Sequence, residues 1–152
     1  MGIQVKKLIA LVAIVAALAL PTATNAAATT AAIPFEAIIT ACNLNIQLSG
    51  SLLIIATATS TSSGGFISTI HSQPQNVRGV DLVSGASYIG TGLTRETFVA
   101  LPSGGLVITF VNDFHIEGTA GADSYVVNQL VHLTVMSDGT ITAFVDNVYV
   151  SC

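Results

Sequence analysis

The chain has 152 residues and a mass of 15.5 kDa; 51% of its residues are hydrophobic, 8% are charged, and there is no Trp. Four cations against eight acids exclude a nucleic-acid binder, and the composition is neither collagen-like nor that of a charged disordered chain. One domain is the natural count at this length.

The first feature along the chain is an unbroken apolar run at residues 8–20, behind Lys6 and Lys7. A bilayer span needs roughly 20 residues, so this run is too short to cross one. Together with the small residues Thr24, Asn25, Ala26 and Ala27 it reads as a cleaved secretory signal peptide over residues 1–26. The expected location is therefore secreted or extracellular, with no membrane span after cleavage. Cleavage removes both lysines and leaves Arg78 and Arg95 against eight acids, a net charge of −6. Such a surface repels phosphate backbones and anionic headgroups, and it is ordinary solubility charge for a secreted domain.

Residues 27–32, only Ala and Thr, are expected to be a mobile leader, and residues 33–152 a single β domain. Alternation dominates, with no 3.6-residue stripe. Cys42, Leu44, Ile46 and Leu48 alternate with Asn43, Asn45, Gln47 and Ser49, the pattern of a half-buried strand that Gly50 should break. Residues 52–59 and 66–72 read as further strands around a flexible loop at residues 60–65. Pro74 should interrupt the pattern, and Gly79 marks a bulge within residues 77–83. Residues 88–93 and 96–101 predict short strands, and 106–118 and 125–135 longer ones. Asp138-Gly139 predicts a type I′ hairpin into a last strand ending at Cys152. About nine short strands predict an antiparallel sandwich or small barrel.

The run from Tyr88 to Cys152 carries Y-x-G-T-G (residues 88–92), N-D-F-x-I-x-G (residues 112–118) and a D-G-T-x-T-A-x-V-D-N hairpin from Asp138 to Asn147. In these motifs it resembles a group of small secreted bacterial all-β proteins of uncharacterised function. The resemblance implies fold and location and transfers no catalytic residue.

Cys42 and Cys152 are the only cysteines. In an oxidising compartment they are expected to pair, closing a loop of about 110 residues worth roughly 4–5 kcal/mol in the entropic account. The alternatives are free thiols or an intermolecular bridge.

Chemistry-bearing clusters are few. His115 and Glu117 should share an outer face with Asn128 and His132 of the next strand, a weak Zn²⁺ ligand set of His115, Glu117 and His132. The bland reading is a solvated sheet face, and His71 stands alone. No G-x-S-x-G or H-E-x-x-H segment occurs, and no acid pair is singled out, so no catalytic residue or cofactor is assigned. The expected function is a secreted structural or interaction module contacting other chains or glycans. The alternatives are a barrel around a small apolar ligand and an enzyme with an unrecognised site. Arg95 could anchor an anion at a barrel mouth, although a loop salt bridge is the plainer reading.

Overall fold

The structure, a computed structural model, describes residues 27–152; the signal-peptide segment lies outside them. Seven antiparallel strands follow one another as β1 (Ala27–Ala41), β2 (Leu44–Ser60), β3 (Phe66–Asp81), β4 (Ser87–Ala100), β5 (Leu106–Gly118), β6 (Tyr125–Val135) and β7 (Ile141–Ser151). They form one open sheet in sequence order, with no helix among the described residues. The all-β, antiparallel expectation holds. The finer expectation, a sandwich or small barrel, is not what the ladders show: every strand pairs only with its chain neighbours in a single open sheet.

Nine expected strands become seven for identifiable reasons. Residues 27–32 are not a leader: they form the first half of β1, with Ala28 opposite Thr57 and Ala32 opposite Leu53. Gly50 does not break β2. A Cβ there would lie 2.7 Å from the Val77 Cα, so the glycine permits close approach of two backbones within a continuous strand. Pro74 stays inside β3, opposite Leu52 of β2, and as expected it falls in an interruption: the β3–β4 ladder shifts register between Ser72 and Val77, and Asn76 takes φ 53°. The bulge expected at Gly79 is therefore displaced. Residues 88–100, expected as parts of two strands, run within β4 without interruption, and Leu101 opens the next turn.

Three hairpins at one end of the sheet share a single turn design. In 61–65, 101–105 and 136–140 the fourth residue donates its N–H to the first carbonyl, and the first N–H reaches the fifth carbonyl. Gly64, Gly104 and Gly139 hold the positive φ that this three-residue loop demands. Asp138 has no positive φ, so the expected type I′ turn is instead a type I turn closed by Gly139, with Asp138 Oδ1 accepting from the Thr140 N–H at 2.8 Å. The two-residue turn with both φ positive occurs at Cys42-Asn43.

Across a flat seven-stranded sheet the outermost strands would lie roughly 29 Å apart, at about 4.8 Å per step. Cys42 at the end of β1 and Cys152 just after β7 are bridged, with Cα atoms 5.7 Å apart. The sheet is thus rolled at this end until its two edges meet. The core fills that rolled end: Ile46, Leu48, Val77, Tyr88, Phe114, Ile116 and Tyr125 are buried together, with Phe35, Ile39 and Leu44 packed against them. Tyr88 and Tyr125 rings meet at 6.1 Å between centroids.

Candidate functional site

Strand parity defines the two faces of the sheet. Phe114 and Ile116 lie on the inner, core face of β5, so Asn112 and Phe110 share that face and His115 and Glu117 take the outer one. A polar row crosses the inner face beyond the core. Thr94 on β4 is opposite Asn112 on β5, which is opposite Gln129 on β6. The Thr94 hydroxyl donates to Asn112 Oδ1 at 2.8 Å, and Gln129 Nε2 donates to Asp146 Oδ1 on β7 at 3.3 Å. Asn112 and Gln129 are buried, so these bonds satisfy groups that water does not reach.

Next to this row stands Glu96. It is only 5% exposed, lies between Ile70 on β3 and Phe110 on β5, and its Oε1 has no hydrogen-bond partner. Burial pushes its carboxyl up to about 7, because the charged form loses its water without gaining a cation. Arg95 cannot neutralise it, since neighbours on a strand face opposite sides. Sequence alone assigned Glu96 no role, and nothing in it marked the residue as buried or unpartnered.

Asp81 is the second buried acid, and its environment is the reverse. The Ser84 hydroxyl and backbone N–H donate to Oδ2, the latter at 2.8 Å, and the Asn45 N–H donates to Oδ1 at 3.1 Å. These donors, the Ser84 hydroxyl foremost, hold the carboxyl below its ordinary value.

The proposed zinc ligands are not brought together. His132 is opposite Thr109 on β5, six residues along the strand from His115, or roughly 20 Å at the rise of a β-strand. His115 Nε2 instead meets Asp113 Oδ1 at 3.0 Å, His132 Nδ1 meets the Thr109 hydroxyl at 3.0 Å, and Glu117 accepts from Thr91 at 3.4 Å. No group of three metal-ligating side chains occurs among the described residues. Arg95 lines a shallow depression on the outer face with Thr97, Thr109 and Val111, a floor with no second cation to hold an anion.

The two free strand edges differ in character. β1 carries Pro34, which lacks an N–H, and the charged Glu36. Both features discourage a further strand from adding there. β7 has neither Pro, Gly nor a cation, and its one charge is Asp146 on the inner face. Its apolar side chains are bare on both faces: Phe144 is 65% exposed on the inner side and Tyr149 64% on the outer side, and Ile141, beyond the bulge at Thr142, is 61% exposed. Val145 and Val148 are exposed as well. No family model, curated protein or solved structure matches this chain.

Proposed function

We propose that this protein is an exported interaction module that associates by strand addition at β7. One observation carries the reading: past its bulge at Thr142, β7 runs from Ala143 to Ser151 as a regular open edge with Phe144 and Tyr149 bare on opposite faces, while the opposite edge carries Pro34 and Glu36. An added strand gains main-chain hydrogen bonds along the edge and covers alternate side chains on each face. Export is supported by the Lys6-Lys7 and residue 8–20 pattern and by the Cys42–Cys152 bridge, which suits an oxidising compartment. A barrel around an apolar ligand has less support, because the best-formed depressions among the described residues are shallow and lie on the outer face.

The test is hydrogen exchange of the purified disulfide-bonded protein with and without an alternating Thr–Val peptide about as long as an ordinary strand. The expected result is added protection confined to β7, abolished by Val145→Pro. Protection elsewhere, or none, would remove strand addition as the mode of association.

A further inference from the structure

Strand addition uses the edge of β7 and leaves the outer face of the sheet unassigned. Arg95, Val111, Leu130 and Asn147 stand directly opposite one another across that face, from β4 to β7. Beside this row, Asp113 of β5 is opposite Asn128 of β6, which is opposite Tyr149 of β7. From this arrangement we propose a binding site for a neutral glycan, a β-linked chain of pyranose sugars that lies across the strands with one sugar stacked on Tyr149. The site does not depend on strand addition and gives the module a second kind of ligand.

A depression of about 220 Å³ lies over Val111, Asn128, Leu130, Asn147 and Tyr149. A second, of about 340 Å³, lies over Arg95, Thr97, Thr109 and Val111. Val111 lines both, so the two adjoin in one shallow trough. Three strand steps separate Arg95 from Asn147, roughly 14 Å at about 4.8 Å per step. That length takes a short oligosaccharide laid across the strands.

The trough is apolar along its floor and polar at fixed points. Val111, Leu130 and Tyr149 are 42%, 39% and 64% exposed. On the inner face Asn112 and Gln129 spend their side chains on Thr94 and Asp146. On the outer face Asn128, Asn147 and Arg95 have no side-chain hydrogen bond or ion pair among the described residues, and both amides flank Tyr149. A pyranose with equatorial hydroxyls matches this alternation. Its flat C–H face suits the negative π face of the Tyr149 ring, and its rim of hydroxyls both donates and accepts, as an amide does.

Charge selects a neutral ligand. Arg95 and Asp113 are the only formally charged residues of the two rows, and they have opposite signs. An acidic sugar seated at Asn128 would face the Asp113 carboxylate, while the Arg95 guanidinium can serve hydroxyls as a fork of N–H donors. A peptide fits this face less well. The main-chain groups of β4, β5 and β6 are spent in their ladders, so a peptide laid across them would find few partners for its own N–H and C=O groups.

The experiment follows backbone amide chemical shifts of the isotope-labelled, disulfide-bonded protein during titration with cellotetraose and with chitotetraose, and with an oligogalacturonate of the same length as the anionic comparison. The expected result is saturable shifts with at least one neutral sugar, centred on Val111, Leu130 and Tyr149. Tyr149→Ala should weaken that binding about tenfold or more, and Asn147→Ala several-fold. Both side chains are exposed, and circular dichroism confirms that each variant keeps its β structure. Phe144→Ala, on the inner face of the same strand, should leave the affinity unchanged. The site is overturned by the absence of shifts with both neutral sugars, by tighter binding of the oligogalacturonate, or by an affinity indifferent to Tyr149→Ala. Shifts in the trough from the alternating Thr–Val peptide and none from the sugars would assign it to peptides and overturn it equally. Peptide protection of the β7 edge with failure of both sugars removes the glycan site and leaves strand addition standing; sugar binding without edge protection does the reverse.

Discussion

Cys42 and Cys152 follow directly on the two outermost strands of a seven-stranded sheet, yet their Cα atoms are 5.7 Å apart. The bridge is the only covalent tie between edges that no hydrogen-bonded ladder joins, and it closes a loop of 110 residues. Cys42 reaches it from a two-residue turn with positive φ, and Ile39 and Leu44 beside that turn pack into the core. Bridge and core therefore hold the same end of the roll.

Replacing both cysteines with Ser should cost about 4–5 kcal/mol of unfolding free energy, the loop-closure entropy returned to the unfolded chain. Denaturant titration measures this. The β spectrum should persist in the reduced protein, because the cluster around Ile46, Leu48 and Ile116 is built from strands β2 to β6, with Cys42 only packed against its margin. An unchanged midpoint would mean that the edges are held together by packing alone.

Glu96 should make stability fall with rising pH. Its carboxyl titrates near 7 when folded and near its ordinary 4.5 when unfolded. Below pH 4.5 both states are protonated and nothing is lost. Between 4.5 and 7 only the unfolded state releases the proton, so stability declines, and above 7 the cost stays constant at up to about 3 kcal/mol. Glu96→Gln should remove this decline and melt at higher temperature than wild type above pH 7, while matching it in acid. Parallel melts of the two proteins across this pH range provide the check. Equal slopes would mean that the carboxylate finds water or a cation.

Gly92 should tolerate no side chain. Its φ is +121°, and a Cβ would lie 2.1 Å from the Asp113 carbonyl oxygen on the paired strand. The clash is with backbone, so relief requires moving β4 away from β5. Gly92→Ala should destabilise by about 3 kcal/mol or more. Gly85→Ala is the control: it too has positive φ, but nothing lies near its would-be Cβ. A smaller loss there separates close approach from backbone strain, read from urea unfolding of both variants.

What the sequence made legible was period and partner. Alternation correctly assigned Leu44, Ile46 and Leu48 to the core face, and Gly-containing segments marked the turns. The pairing of Cys42 with Cys152 followed from their being the only two. Strand length was misread where Gly was taken as a stop. Gly50 instead serves close approach within a strand that continues past it, whereas Pro74 falls in an interruption of the β3–β4 ladder as expected. β1 was missed in part because Ala and Thr have little burial to offer, and what holds residues 27–32 in place is the ladder to β2. The zinc reading failed on register. Alternation gives the face but not the position along it, and six residues separate His115 from the residue opposite His132. The β7 edge was invisible for a related reason: being last in the chain did not show that β7 would be outermost in the sheet.

Asp81 should behave as the opposite of Glu96. Its carboxylate closes the β3–β4 turn, accepting from Ser84 and Asn45 while the Asp81 N–H donates to the Ala86 carbonyl at 2.9 Å. The Ser84 hydroxyl, then the backbone donors, favour the charged form and lower its pKa. A folded pKa below the unfolded 3.8 means that the stabilisation is complete above that value and disappears as pH falls through the folded pKa. Asp81→Asn keeps the shape but weakens the acceptor and places an amide where two N–H groups converge. The variant should be less stable than wild type near neutral pH, and the gap should shrink steadily in acid. Ser84→Ala should reproduce part of the loss, because it deletes the largest single contribution while leaving the backbone donors in place. Urea unfolding near neutrality and below about pH 3 measures both effects. A gap that does not narrow in acid would locate the loss in turn geometry and not in the charge on Asp81.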